Sequence, residues 1–240
     1  MDIISYFARL HRYILCGSHK SHGDLRHFSR QIDDLKQISI WLWRLACLLF
    51  LAFNIYAEHS GRFIIRPTLK IALAVCFFVL LTLAVRPFGS RTRHRVWLWL
   101  LFAYYLWVLS NMLFFDAALG RGSGMGGVNL EPLHTIRNYL RAYELGNIHG
   151  GLVVMNLAGN LAAFAPMAVF LPALFRGQRN LLLFLVTMIL LVAGVEMVQY
   201  LTHTGSCDID DLILNTAGAL AVWLVLLPWR LWTAYKEGHR

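Results

Sequence analysis

The stretch "LVVMNLAGNLAAFAPMAVFLPAL", residues 152–174, carries no charged side chain. A helix needs about 20 largely apolar residues to cross the hydrocarbon core of a bilayer, so this stretch is long enough to span it. It also carries two asparagines, Asn156 and Asn160, one helical turn apart near its start. Because an unpaired amide is costly in lipid, these two side chains need partners or a function.

Five further apolar runs accompany this stretch, at residues 40–57, 69–85, 96–115, 181–201 and 211–228. Hydrophobic residues make up 58% of the 240-residue chain and charged residues 15%, whereas soluble domains average about 25% charged residues. The runs are unbroken rather than alternating, which excludes a β-barrel. The sequence therefore predicts an all-α fold, a polytopic membrane bundle of about six transmembrane helices without a separate soluble domain.

The basic residues predict the orientation of this bundle. Most of them fall in residues 1–39, 86–95, 176–179 and after 228, whereas the segment "THTGSCDID" between the last two spans has none. Cytoplasmic loops carry the excess of Lys and Arg, so we expect both termini in the cytoplasm of a bacterial cell whose inner membrane holds the protein. The net charge of +9 is explained in the same way, and we expect no nucleic-acid partner.

Three regions follow along the chain. Residues 1–95 form a basic tail with two ordinary spans, residues 96–228 form a membrane domain with clustered polar residues, and residues 229–240 form a cytoplasmic tail. The basic N-terminal tail should include an interfacial helix at residues 3–15 or be loosely ordered. The glycine-rich run 120–127 has no phosphate-loop ending and is interpreted as a hinge.

After the hinge, residues 129–147 place apolar residues every three to four positions among charged ones. This pattern predicts an amphipathic helix that is too short and too charged to span the bilayer, lying in the outer interface or re-entering it. Arg137 and Arg141 are four residues apart and share one face of this helix. The four cysteines form no disulfide framework, and Cys207 is predicted to be a free thiol.

Polar residues gather near the predicted outer ends of the last three spans. They are Asn156 and Asn160 on the first, Glu196 and Gln199 on the second, and Asp208, Asp211 and Asn215 on the third. Within each set the spacing puts the side chains on one helix face. If these faces meet, they form a polar pocket open to the outside, with the helix at 129–147 at its rim.

Each set also has a purely structural interpretation. The asparagines would hydrogen-bond a neighbouring span, with Gly159 and Gly218 allowing close helix packing. Asp208 or Asp210 would cap the N-terminus of the last span. Glu196 would be a protonated, buried packing residue. These interpretations remain open beside the binding interpretation.

Four motifs, in this order and spacing, resemble the VanZ-like membrane proteins: "NLEPLHTI" from Asn129, "NLAGNLAAFAPMAVFLP" from Asn156, "GVEMVQY" from Gly194 and "DIDDLILNTAGA" from Asp208. The resemblance covers about residues 97–228. It implies a relation to an accessory factor that gives low-level protection against teicoplanin, a glycopeptide antibiotic. The chain departs from the family pattern at Leu133, where Phe is usual, in its 95-residue front part, and in the absence of a basic residue before the acidic motif.

Three functions fit these observations. The first is a non-enzymatic protein that binds a lipid-linked cell-wall precursor or a lipophilic glycopeptide at the outer leaflet and contributes to antibiotic resistance or envelope homeostasis. In this hypothesis Arg137 and Arg141 hold phosphate and the amide and carboxylate pocket holds sugar or peptide groups. We expect membrane lipids as partners and no cofactor.

The second function is an intramembrane hydrolase acting on lipid phosphates or cell-wall precursors. Its divalent metal ion would be held by the carboxylates of Glu196, Asp208, Asp210 and Asp211. The third function is a flippase, which the absence of an inner polar counterpart or inverted repeat disfavours. Zinc-type spacing and a nucleophile with its base are both missing from the sequence.

Overall fold

The computed structural model describes residues 22–60, 67–115 and 127–238. The predicted helix at residues 3–15 and all but the last residue of the predicted hinge 120–127 lie outside these ranges. Apart from one short two-stranded sheet, the regular secondary structure of the described residues is helical. This confirms the all-α fold class.

The elements run in the following order. The helices are α1 His22–His59, α2 Pro67–Val85, α3 Arg91–Ser110, α4 His134–Glu144, α5 Gly150–Ala163, α6 Met167–Leu174, α7 Leu181–Leu201, α8 Ile209–Val225 and α9 Leu227–Gly238. A π-helical segment, Asn111–Phe115, extends α3, and a 3₁₀ turn, Arg176–Arg179, precedes α7. The strands are β1 Val128–Asn129 and β2 Cys207–Asp208.

By length and composition, four helical stretches of the described residues can cross a membrane. They are Arg30–His59, Arg91–Phe115, Gly150–Leu174 and Leu181–Leu201. The predicted span at 69–85 is a shorter apolar helix, and the predicted span at 211–228 corresponds to the 17-residue α8. The membrane-protein class is therefore supported, and the count of six spans stays a prediction.

The stretch 152–174 is not one continuous helix, as the sequence predicted, but two. The helix α5 ends before Phe164, and α6 begins after Pro166. Proline has no backbone N–H and disfavours helical geometry in the residue before it, which explains the break. The hydroxyl of Tyr105 in α3 donates a 2.7 Å hydrogen bond to the carbonyl of Ala163 and so satisfies a helix-end acceptor.

The helices α7 and α8 form an antiparallel pair whose starting points are capped by side chains. Asn180 accepts a hydrogen bond from the backbone N–H of Leu183 at the start of α7. Asp208 accepts one from the N–H of Asp210 at the start of α8, which confirms the predicted cap. Because each cap satisfies an orphan donor, the two helices begin at fixed residues.

The hydrophobic core has two clusters joined by α3. One contains buried residues of α3, α6, α7 and α8 together with Phe164, which precedes α6; its side chains with almost no exposure are Phe164, Met167, Ala168, Phe184, Met188, Val192 and Ala219. The other unites α1, α2 and α3 around Phe77, whose ring stacks on Tyr104 with centroids 4.0 Å apart. The predicted front part of the chain thus packs on the first helix of the domain that follows it.

The helices α5 and α8 cross with their backbones in contact. A Cβ atom added to Gly218 would lie 1.7 Å from the carbonyl oxygen of Leu161, so only glycine fits there. Gly159, the other predicted packing glycine, has no atom within 4 Å of such a position. Gly218 therefore confirms the packing interpretation, and Gly159 does not.

The α1–α2 hairpin encloses an ion pair that the sequence analysis did not identify. Lys70 in α2 is 6% exposed, and its Nζ lies 3.3 Å from Glu58 Oε1 in α1. Asn54, one turn earlier in α1, is 2% exposed and donates to the carbonyl of Phe50. The ion pair joins the two helices, whereas the Asn54 hydrogen bond stays within α1.

Candidate functional site

A short parallel strand pair joins two distant segments at one end of the α7–α8 pair. Val128 pairs with Cys207 and Asn129 with Asp208, and the N–H of Cys207 donates to the carbonyl of Gly127 at 3.1 Å. The segment that leads into α4 is thereby attached to the loop between α7 and α8. The predicted motifs that begin at Asn129 and at Asp208 meet here.

Asp208 is buried, and its carboxylate has three donors. Oδ1 accepts from Asn129 Nδ2 at 3.0 Å and from the N–H of Asp210 at 2.9 Å, and Oδ2 accepts from the hydroxyl of Thr135 at 2.5 Å. The backbone N–H of Asp208 donates to Glu196 Oε2 of α7 at 3.3 Å. Asp208 thus connects β1, α4, α7 and α8 through its own hydrogen bonds.

Asp210 holds the N-terminus of α4. Its side chain has no exposed surface, and its two oxygens accept from the backbone N–H groups of Leu133 and Ile136. Leu133 has a φ of 64°, a left-handed conformation that non-glycine residues adopt only where the surroundings impose it. The Asp210 carboxylate, with its charge facing the positive end of α4, supplies that constraint.

A second polar contact joins α5 to α8. Asn160 Nδ2 donates to Asp211 Oδ1, and the buried Asn215 donates to the backbone carbonyl of Asp211 at 2.8 Å. The Oδ1 of Asn215 is buried and accepts no hydrogen bond from the described residues. Asn160 therefore makes the interhelical bond that the structural interpretation required.

Gln199 reaches the irregular end of α3. It is 2% exposed, and its amide donates to the carbonyl of Leu113 at 2.9 Å. Leu113 lies in the π-helical segment, where the altered hydrogen-bond pattern leaves carbonyl groups for outside donors. This bond fastens α7 to the extension of α3.

The remaining predicted site residues lie apart from these contacts. Asn156 donates to the carbonyl of Leu152 in its own helix at 2.9 Å. Arg137 and Arg141 are exposed on α4. The expected amphipathic helix is present as α4, but it is shorter than predicted because residues 129–133 form β1 and a turn.

A cavity of about 410 Å³ lies against α4, within the range typical of small-molecule sites. Most of its polar groups come from β1 and α4: Asn129, His134, Thr135, Asn138, Tyr139, Ser206 and Asp208. Asp208 is the one predicted binding residue that lines this cavity in the described part of the chain. Most of the other predicted side chains hold helices and backbone groups, so they do not line this cavity, and a single pocket formed by all three polar faces stays a prediction.

Sequence reasoning missed the residues that α4 contributes to the cavity. Thr135, Asn138 and Tyr139 are ordinary residues of an amphipathic helix, and the apolar pattern that predicted this helix does not include them. The available signal was the presence of Asn129 and Thr135 within the motif "NLEPLHTI". Their roles depend on the strand pairing, which two residues cannot signal in a sequence.

The carboxylates at this end change the pKa values of two neighbouring groups. Burial, followed by the charges of Asp211 and Asp208, raises the pKa of Tyr139. Burial, followed by the charges of Glu196 and Asp208, raises the pKa of the Cys207 thiol. Both groups are therefore neutral at physiological pH.

The four carboxylates of the metal-ion hypothesis have different hydrogen-bond partners. Within residues 22–60, 67–115 and 127–238, no three His, Cys, Asp or Glu side chains are grouped to hold a metal ion. Asp208 and Asp210 face donors on β1 and α4, whereas Asp211 faces Asn160 on α5. The arrangement of these residues thus offers no common centre for an ion.

The comparisons with known proteins concern the second part of the chain. The family model described as VanZ/LLP1 matches residues 96–232, more than half of the chain. No curated protein and no solved structure gives a significant match. The matched range begins within α3 and ends within α9, so it contains the cavity and every contact described around it. The chain therefore belongs to the VanZ/LLP1 family.

Proposed function

We propose that this VanZ-like protein binds an amphiphile at the outer leaflet of the bacterial inner membrane, with part of the ligand's head group in the cavity beside α4. The ligand is a lipid-linked envelope intermediate or a lipophilic glycopeptide. Binding contributes to antibiotic resistance or envelope homeostasis, in line with the link between VanZ-like proteins and resistance. The observation that carries the proposal is the cavity of about 410 Å³ lined by β1, α4 and the loop before α8.

The position of α4 supports an amphiphilic ligand. Leu140 is 45% exposed and Tyr143 54%, and they recur three residues apart with the cationic Arg137 and Arg141 nearby. An apolar stripe beside basic residues is typical of a helix that lies in a membrane interface. A ligand whose tail stays in the lipid could then reach the cavity from the interface with its head group.

The polar groups around the cavity support binding rather than hydrolysis. Each nearby carboxylate already accepts hydrogen bonds from the protein. Asp208 and Asp210 accept them from β1 and α4, and Asp211 accepts one from α5. Fixed groups of this kind give a preorganised wall, which lowers the ordering cost when a ligand binds. We therefore favour a binding protein over a metal-dependent hydrolase.

Filling the cavity tests this proposal. Ala142 lines the cavity, so Ala142→Phe should occupy its volume and reduce binding of a fluorescent lipid-linked disaccharide precursor and of teicoplanin to the purified full-length chain at least tenfold. We expect the wild-type chain to protect cells against teicoplanin and this variant to protect them less.

The matched control is Leu140→Phe, which adds similar bulk to an exposed position of the same helix that does not line the cavity. This control should bind and protect as the wild type does. Equal membrane amounts and monodisperse elution would show that both variants fold. Unchanged binding by folded Ala142→Phe would overturn the proposal.

A further inference from the structure

We propose that the cavity beside α4 receives an uncharged, hydroxyl-rich group, such as a carbohydrate ring, and rejects phosphate. The inference rests on the proposed function and names the part of the ligand that enters the cavity. Three observations carry it: the hydrogen-bonding chemistry of the lining, the sign of the nearby charges, and the position of the α4 arginines.

Three polar side chains in an otherwise largely apolar lining match the hydrogen-bonding chemistry of hydroxyls. Asn138, Tyr139 and Ser206 each carry both a hydrogen-bond donor and an acceptor. A sugar hydroxyl is likewise both donor and acceptor, so it can use both functions of such a group at once. A phosphate oxygen only accepts, and an ammonium group only donates, so either would leave half of this capacity unused.

The nearby charges are negative. Asp208 lines the cavity. Burial, followed by the charges of Asp211 and Asp208, raises the pKa of Tyr139, which also lines it. Among the described residues that line the cavity there is no lysine or arginine, and His134 is the one lining side chain that can carry a positive charge. A phosphate placed there would therefore be repelled by the carboxylates, with at most one imidazole to offset the repulsion.

The geometry of α4 keeps its arginines outside. Thr135, Asn138, Tyr139 and Ala142 follow the spacing of residues that share one helix face, and all four line the cavity. Arg137 comes two positions after Thr135, which places it roughly 200° around the helix. Both Arg137 and Arg141 are exposed and outside the lining.

This placement changes the role that the sequence suggested for the arginines. A phosphate of the same ligand, if it has one, would lie outside the cavity at the level of lipid head groups, where Arg137 and Arg141 are accessible. The cavity itself would then distinguish ligands by the uncharged part of their head group.

Three lipids with identical acyl chains test the inference: diglucosyl diacylglycerol, phosphatidic acid and a diacyl lipid with a primary ammonium head group. Each is titrated into the full-length chain in neutral detergent, with the dissociation constant read by native mass spectrometry. The glycolipid should bind at least tenfold more tightly than either charged lipid. Asn138→Ala and Tyr139→Phe should each weaken glycolipid binding roughly fivefold, since each removes one hydrogen-bonding group.

Glu144→Ala is the matched control, because Glu144 is exposed on the same helix outside the lining, and it should leave glycolipid binding unchanged. Tyr139→Phe keeps the ring, so its effect does not depend on a change in packing. Equal or tighter binding of either charged lipid, with the same dependence on Asn138, would overturn the inference and leave the proposed function standing. Binding of all three lipids without any dependence on Asn138 or Tyr139 would overturn both.

Discussion

The two ends of the α7–α8 pair use opposite charges for the same task. At the end that holds the cavity, Asp208 and Asp210 accept hydrogen bonds from backbone N–H groups where α8 and α4 begin. At the other end, the Arg230 guanidinium donates to the carbonyl of Trp223 in the last turn of α8, and Arg179 donates to that of Pro172 in the last turn of α6.

This difference follows from the direction of the helices. The N-terminus of a helix presents unsatisfied donors and a partial positive charge, and the C-terminus presents acceptors and a partial negative charge. Carboxylates therefore suit one end and guanidinium groups the other.

The two ends also differ in how far their contacts reach. The carboxylates of Asp208 and Asp210 contact segments some 75 residues earlier in the chain, whereas Arg230 lies over the ring of Trp223 in the adjoining helix, 4.2 Å from its centroid. The indole of Trp223 donates to the carbonyl of Gln178 at 3.2 Å, which fastens the end of α8 to the start of α7. Removing the carboxylate of Asp208 or Asp210 should therefore destabilise more of the structure than removing the guanidinium of Arg230.

The strongest test of this comparison is Asp210→Ala. Because two backbone donors lose a buried, charged acceptor, we expect a loss of about 3 kcal/mol in the free energy of unfolding. Thermal unfolding in detergent measures the loss, and hydrogen exchange of α4 shows where it acts. Asp210→Asn keeps the size of the side chain and one acceptor oxygen, so its free energy of unfolding should fall by less.

The comparison would fail if Asp210→Ala unfolded at the wild-type temperature, or if the exchange rates of Leu133 and Ile136 stayed the same. Either result would mean that α4 is held by other contacts.

Mutation at the end of the α7–α8 pair that carries Arg230 should cost less stability than mutation at the end that carries Asp210. Arg230→Leu removes a hydrogen bond to the carbonyl of Trp223 and the stacking of the guanidinium on its ring, so we expect a loss of about 1–2 kcal/mol. Burial, followed by the charge of Arg179, lowers the pKa of Arg230, but an arginine remains protonated. The measurement is the same thermal unfolding, with exchange rates of α4 as the control that should not change.

A loss at Arg230 that equals or exceeds the loss at Asp210 would contradict the difference between the two ends. Arg230→Lys sharpens the test, because a lysine keeps the charge without the planar stacking group and should recover part of the stability.

The smallest expected effect concerns the thiol of Cys207. Burial, followed by the charges of Glu196 and Asp208, raises its pKa, so less thiolate is present at any given pH than in an unfolded chain. The alkylation rate of Cys207 should therefore reach its midpoint at a higher pH in the folded protein. Glu196→Gln removes one of the charges and should move the midpoint down.

Cys207→Ser provides the blank for this measurement, since other cysteines also react. A midpoint at or below that of the unfolded chain would show that the carboxylates do not act on this end as described.

Several features could be predicted from the local sequence. The helix at 181–201 has the predicted bounds, because an unbroken apolar run between an asparagine cap and a polar loop leaves little choice. Asp208 was expected as a cap of the last span because a carboxylate before an apolar run satisfies free amide groups. Lipid as the main surroundings followed from composition alone.

Other features depended on contacts between distant residues. The break at Phe164–Pro166 had a local signal in the proline that was not used. No local signal predicts the ion pair of Glu58 and Lys70 or the hydrogen bond from Gln199 to Leu113. Each contact forms only after two helices have been placed beside each other.

The sequence by itself determined that this protein is a helical membrane protein of the VanZ type, since apolar run length and motif order are properties of the chain. Only the tertiary structure decided that Asp208 and Asp210 hold α4 and that α4 supplies most of the polar wall of a cavity. The physical reason is that hydrogen-bond partners at positions 129–136 and 208–210 are chosen by a two-residue strand pairing. Such a pairing is stable only when the helices on both sides have already packed.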